Sequence, residues 1–286
     1  MSSPTLKDIV VIYHAQCRDG FGAAYAAWTV FGEDATYIPV KTQEDRPSGL
    51  VNKEIYIVDY SYSKDILDEL VATNKKVVVI DHHESGREAV TSFEGNIFDN
   101  NHSGAVLAWN YFNPDTEVPK LLLYIEDQDI WTKKMEHTRE FAAALGEYTQ
   151  DFETWHQLNQ NLSDRLHFNK FIEHGDIISR FEDSIVEKIV GFRERVLFEG
   201  HELYAVNAER LYRSIVGHNL AEINKNEGRI GLGIVYYRYD GAIHCSLRST
   251  PEVDARTLAE KYGGGGHKNA ASIRAASFGE LPFTFL

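Results

Sequence analysis

Two periods of apolar and polar positions alternate along this chain. In its first third, short runs of consecutive apolar, mostly β-branched residues at 9–13, 55–58 and 76–80 predict strands buried on both faces. Helical patterns lie between them. The alanine-rich stretch at 20–31 predicts a tightly packed helix, and Ile66, Leu67, Leu70 and Val71 fall at helical spacing. Ser103 stands where a helix N-cap belongs, ahead of an apolar run through Trp109 and Phe112. Strands alternating with helices predict an α/β fold built on a parallel sheet. From about 150 to 200 the pattern becomes amphipathic and helical, with Ile172, Ile178, Phe181, Ile185, Ile189, Phe192 and Val196 on recurring faces. Strands return at 202–206, 230–239 and 243–247. The expected organisation is an N-terminal parallel-sheet domain over 1–150, a helical connector over 151–200, and a smaller C-terminal α/β domain over 201–286. The two domains are expected to face each other across a cleft.

Composition narrows the setting. At 286 residues the chain exceeds what one ordinary core requires, and 43% hydrophobic with 25% charged residues is the balance of a soluble globular protein. No apolar run reaches the roughly 18 residues of a membrane span. The N-terminal residues lack the basic-then-apolar layout of a secretory signal. Two cysteines, Cys17 and Cys245, are too few for a disulfide framework, so a cytoplasmic location is expected. The 43 acidic against 29 basic residues leave a net charge of −14, which opposes binding of a long polyanion and excludes long duplex nucleic acid as an expected partner. A small anionic substrate remains compatible with that charge if cations or backbone N–H groups receive it locally.

The chemistry sits at the strand ends. The first three strands run directly into His14, Asp59 and Asp81-His82-His83. In open α/β sheets, ligands bind outside the carboxyl ends of the strands. With Asp19 and the Asp127/Asp129 pair, these residues form a set suited to divalent ions, which favour carboxylate oxygens and, for Mn²⁺, also accept imidazole. Any one of them has an ordinary structural reading as a cap, a turn former or a surface histidine. Turn chemistry does not call for Asp-His-His after one strand and polar catalytic-type residues after two others. A second dense signal is Gly263-Gly264-Gly265-Gly266-His267, whose backbone N–H groups can approach a phosphate closely. His267 and Arg248 are candidate phosphate contacts. Ser103, at a helix start, could meet phosphate through free N–H groups or serve as an ordinary N-cap.

The sequence resembles the DHH phosphoesterase superfamily, in the branch with an associated C-terminal glycine-rich domain that includes oligoribonuclease-like (nanoRNase) and cyclic-nucleotide-phosphodiesterase-like proteins. The likeness runs over nearly the whole chain. It is carried in order by the segment from His14 to Gly20, by Val58-Asp59-Tyr60, by Asp81-His82-His83, by the acidic segment ending at Trp131, and by the glycine run with Ala270-Ala271. The segment His14-Ala15-Gln16-Cys17-Arg18-Asp19-Gly20 has a single Asp where many members carry more, and is similar to a His-x-x-Cys-x-Asp-Gly sub-branch. Cys17 itself reads as a small packed residue near the turn, with a soft metal ligand as the alternative.

The resemblance implies a site for two divalent ions, Mn²⁺ first and Mg²⁺ as the alternative. His14 and Asp19 would hold one ion, Asp59 both, Asp81 would bridge or hold the pair, and His82 would hold the second. Asp127 is assigned as the last carboxylate, with Asp129 its rival. Asp81, His82 and His83 would form the catalytic centre, with His83 beside the ions either touching phosphate or supporting the metal ligands. Ser103, Arg248, Gly264, Gly265, Gly266 and His267 would bind substrate. The implied activity is hydrolysis of short oligonucleotides or linear dinucleotides to nucleoside monophosphates. Single-strand exonuclease, phosphatase, cyclic-nucleotide phosphodiesterase or a nucleotide sensor with a degenerate site are the alternatives. The oligomeric state, monomer or homodimer, is open.

Overall fold

The computed structural model describes residues 6–41, 45–132 and 134–286. They form two compact units, Met1–Ser179 and Arg180–Leu286. The expected 151–200 connector is thus divided between them. No helix among the described residues is long and apolar enough to cross a membrane.

The first unit is an α/β layer structure. Its elements are β1 (Ile9–His14), α1 (Arg18–Phe31), β2 (Ala35–Val40), β3 (Glu54–Val58), α2 (Lys64–Thr73), β4 (Lys76–Asp81), α3 (Arg87–Thr91), β5 (Ile97–Phe98), α4 (Gly104–Phe112), α5 (Lys120–Asp129), α6 (Thr138–Leu145) and α7 (Phe152–Leu162). The five strands are all parallel in the order β2-β1-β3-β4-β5. That order reverses direction between β1 and β3, the kind of topological switch point at which such sheets bind ligands.

Helices on both faces explain the unbroken apolar runs. Side chains alternate across a strand. Val11, Tyr56, Val58, Val78 and Ile80 therefore pack into one core with α1, α4 and the buried residues Leu121, Phe141 and Trp155. Val10, Ile12, Ile55, Ile57 and Val79 pack on the other face with Leu67 and Leu70 of α2 and Val90 of α3. Trp155, Leu158 and Leu162 of α7 join the first core, so that helix is part of the unit rather than a spacer. A long helix, α8 (Arg165–Gly191), runs through the division between the units.

The second unit holds β6 (Glu194–Phe198), β7 (His201–Asn207), α9 (Arg213–Asn226), β8 (Leu232–Tyr239), β9 (Ala242–Ser249), α10 (Ala255–Glu260), β10 (Gly265–His267), β11 (Ala270–Ala275) and β12 (Thr284–Phe285). They form a seven-stranded sheet ordered β10-β11-β9-β8-β7-β6-β12, with β7 and β8 as its one parallel pair among the described residues. One face packs with Ala255 and Ala259 of α10, and the other with Val216 and Leu220 of α9. The helical pattern expected to reach Val196 stops at Gly191. Val196 is instead fully buried in a strand of the β6–β7 hairpin, whose turn places Glu199 and Gly200 at φ of 50° and 78°. Two successive positive φ values match the twist of a two-residue hairpin.

Candidate metal centre

Parallel pairing in register brings three strand ends side by side. His14 closes β1, Asp59 follows β3 and Asp81 closes β4, with Tyr13 opposite Val58 and Val58 opposite Ile80. Asp59 adopts the left-handed conformation at φ 53° while its N–H bonds to the Ile80 carbonyl at 2.9 Å. Aspartate tolerates this region better than most residues, yet the conformation costs about 1–2 kcal/mol. It turns the carboxylate inward.

The resulting cluster is tight. The Asp59 carboxylate lies 3.5 Å from His14 Nδ1, 3.1 Å from His82 Nε2 and 3.8 Å from His83 Nδ1. The same His82 nitrogen is 3.6 Å from both Asp19 and Asp129. Three carboxylates therefore crowd one imidazole nitrogen, which can bond properly to one of them at most. His14 Nδ1, both Asp59 oxygens and His82 Nε2 are buried without a hydrogen bond. Buried polar atoms are nearly always paired, so four orphans converging on one point fit a site for cations. Among the described residues, three overlapping donor groups could hold an ion: His14, Cys17 and Asp59; Asp59, His82 and His83; and Asp19, His82 and Asp129.

Asp19 and Asp81 are held in place by hydrogen bonds from the backbone. Asp19 sits on the first turn of α4, its two oxygens accepting from the N–H groups of Gly104 at 2.6 Å and Ala105 at 2.9 Å. The free N–H groups that a phosphate could have met at this helix start are thus occupied. Ser103 is fully buried, and its hydroxyl accepts from the Val106 N–H, which is the ordinary N-cap arrangement. Asp81 Oδ1 accepts from the His82 and His83 N–H groups and is 2.8 Å from His83 Nδ1, so it orients the two histidines.

Asp127 does not join the cluster. Its oxygens accept from the Thr132 and Thr138 hydroxyls and from the Lys134 and Met135 N–H groups, closing the turn after α5. Two residues on, helical rotation points Asp129 the other way, toward His82. The geometry brings together His14, Asp19, Asp59, Asp81, His82 and His83, and puts Asp129 rather than Asp127 beside them.

The electrostatics agree with a site short of positive charge. His14 titrates above its ordinary value, chiefly through its contact with Asp59. His83 does so chiefly through Asp81. Burial works against charge on His82, but Asp59, Asp129 and Asp81 outweigh it and raise its pKa. Asp19 is held well above the carboxylate range by burial and then by Asp59 and Asp129. Burial also raises Asp129, with Asp59 adding to it. Burial likewise pushes at Asp59, but His14 and His82 prevail and its pKa falls. The raised values of His14, His82, His83, Asp19 and Asp129 all favour added positive charge among these groups, while Asp59 keeps its negative charge.

The second unit carries a separate pocket of about 310 Å³ on one face of β8, β9 and β11. Arg210, Arg213, Arg248, Gly265 and Gly266 line it, together with Tyr237, Tyr239 and His244. Arg248 bonds to Ser214 Oγ at 2.9 Å, and its pKa is lowered by burial and by Arg213. Like charges in one pocket favour an anion between them. Tyr237 and His244 stack with centroids 5.7 Å apart and 8° between planes, and Arg210 lies 4.3 Å over the Tyr239 ring. Gly266 is at φ 143°, where a Cβ would lie 2.5 Å from the Ala270 carbonyl oxygen. Gly264 instead packs against the Ser272 backbone, and His267 is exposed and outside the pocket lining. Arg210, Arg213, Tyr237, Tyr239 and His244 belong to no motif in the sequence. The signal available was the strand alternation that puts Tyr237 opposite His244 on one face.

No family model matches the chain. It is 30% identical over 299 aligned residues to an uncharacterized protein, R106, of Acanthamoeba polyphaga mimivirus, covering 96% of this chain and 69% of that one. Its fold is similar to that of PggH, a pGpG-specific phosphodiesterase from Vibrio cholerae, with a TM-score of 0.55 and 13% identity over 94% of each chain. The same score and identity relate it to the DHH domain of a protein described as a member of a ribosomal-protein family, over 94% of this chain and 83% of the other. At that identity the likeness is one of fold.

Proposed function

The chain belongs to the same family as the mimivirus protein R106 and has the fold of a DHH domain; on that premise we propose that it is a phosphodiesterase dependent on divalent metal ions, acting on short oligonucleotides or linear dinucleotides. The observation that carries the reading is the set of buried, unbonded donor atoms on His14, Asp59 and His82. Asp59 faces both histidines and is the natural shared ligand. Asp19 and Asp129 complete the carboxylate set around His82.

When bound, two divalent ions, Mn²⁺ first, lower the pKa of a water and offset charge on a phosphoryl oxygen. The protein's own groups do the positioning. Asp81 fixes the ring of His83, which is partly exposed at the edge of the cluster and available to a phosphate oxygen. The arginine pocket of the second unit is by itself suited to an anionic group such as a phosphate. Net charge of −14 favours a short substrate over a long strand. The products would be nucleoside monophosphates.

The test is hydrolysis of a dinucleotide by purified protein with Mn²⁺, alongside Asp59→Ala and a length series of RNA and DNA oligomers. Metal-dependent release of mononucleotides that Asp59→Ala abolishes supports the reading. Activity that persists in that variant, or none with metal, ends it. Preference for long single strands would make the protein an exonuclease. Nucleotide binding without turnover would make it a sensor.

A further inference from the structure

Cys17 is not among the ligands of the proposed function, yet it stands inside the cluster. It is the N-cap residue of α1, three residues after His14 and two before Asp19. One ring nitrogen of His14, the sulfur of Cys17 and one carboxylate oxygen of Asp59 lie within 4.8 Å of one another. Asp59 is 1% exposed, and neither of its oxygens nor His14 Nδ1 has a hydrogen bond. The sulfur is therefore the third donor of a group whose other two members are already unsatisfied. The neighbouring group, Asp19, His82 and Asp129, has no sulfur and two carboxylates.

We propose that Cys17 is a thiolate ligand of the ion held by His14 and Asp59, so that the two metal positions differ in kind. This rests on the metal-dependent reading above and adds to it. A thiolate, an imidazole and a carboxylate favour Zn²⁺ or Co²⁺, because soft sulfur binds these more strongly than it binds Mn²⁺. The Asp19, His82 and Asp129 position, rich in oxygen, suits Mn²⁺ or Mg²⁺. The centre would then hold a thiophilic ion beside a hard one. On binding, the Cys17 S–H bond breaks, a sulfur–metal bond forms, and the proton passes to solvent, with no redox change.

Cobalt reports this directly. Full-length protein is stripped with a chelator, loaded with Co²⁺, and its absorption recorded with bound cobalt counted by elemental analysis. The wild type is expected to show a thiolate-to-cobalt charge-transfer band in the near ultraviolet. Cys17→Ser is expected to lose that band while still binding cobalt. Cys245, buried in the second unit, stays in both proteins as an internal control. In parallel, Cys17→Ser weakens Zn²⁺ binding by at least about tenfold and leaves Mn²⁺ binding within about threefold. Cys17→Asp, which keeps a ligand but makes it hard, moves the preference toward Mn²⁺. A band that survives in Cys17→Ser overturns the proposal, as does wild type that binds cobalt without the band. Wild type that binds no cobalt overturns the metal-dependent reading along with it.

Discussion

Asp19 accepts a hydrogen bond from the Gly104 N–H at 2.6 Å, joining the start of α1 to the start of α4 across 85 residues of sequence. The bond places a carboxylate at a helix N-terminus, where the helix dipole favours negative charge. It also draws α4 against Asp59. A Cβ on Gly104 would lie 2.5 Å from Asp59 Cβ and 2.6 Å from its Oδ1.

Gly104→Ala is therefore expected to displace the Asp59 carboxylate and not to unfold the protein. Overpacking of this kind costs about 1–3 kcal/mol. Metal titration should show binding weakened by about tenfold or more, while far-ultraviolet circular dichroism stays that of the wild type. Unaltered metal affinity would show that Asp59 is not held by this contact.

Asp127 and Asp129 should separate stability from binding. Asp127→Asn removes charge-assisted bonds worth about 2 kcal/mol, so its thermal midpoint should fall by roughly 5 °C with metal affinity kept. Asp129→Asn should do the reverse. Differential scanning calorimetry and metal titration on both variants give the answer. The Asp127 effect has a pH sign. Burial opposes its charge, but bonds from Thr132, Thr138, Lys134 and Met135 outweigh it and lower its pKa. Its stabilisation is full above the ordinary carboxylate pKa of about 4 and is lost as pH falls through the lower folded value.

Protons and metal ions should compete for the histidines. In the metal-free protein His14 and His82 hold their protons above the ordinary histidine pKa of about 6.5. The metal-free fold gains from that charge below this pH and loses the gain as pH rises through the raised values. Metal needs the neutral ring, so Mn²⁺ affinity should climb as pH rises and level off only above the raised values. Mn²⁺ titrations between pH 6 and 8 would show the trend. A flat profile would mean that neither imidazole is a ligand.

Arg213→Ala and Arg248→Ala should act on substrate binding. A charge-assisted bond to an anion is worth about 1.5–3 kcal/mol, so each should raise KM by roughly tenfold or more with kcat little altered. Steady-state kinetics on a 5′-phosphorylated and an unphosphorylated dinucleotide would show whether the pocket takes a terminal phosphate. Equal KM changes for the two would place a different anionic group there.

The α/β class and the strand ends that carry Asp and His are legible in the sequence because they depend on local pattern. Apolar runs at 9–13, 55–58 and 76–80 specify strands covered on both faces, and each parallel strand delivers its last residue to the same edge. His14, Asp59 and Asp81-His82-His83 follow from that alone. The helix N-cap at Ser103 is equally local. What sequence could not decide is where side chains that leave helices and turns end up. Asp127 and Asp129 are two residues apart with the same chemistry, and only the packing of α5 turns one to a structural turn and the other to His82. The start of α4 reads equally as a phosphate site or an ordinary N-cap until the carboxylate of Asp19, remote in sequence, fills it. The end of α8 at Gly191 and the strand at 194–198 depend on hairpin pairing with β7, which helical periodicity does not see. Residue type and period determined which groups could do chemistry here; long-range packing decided which of them meet.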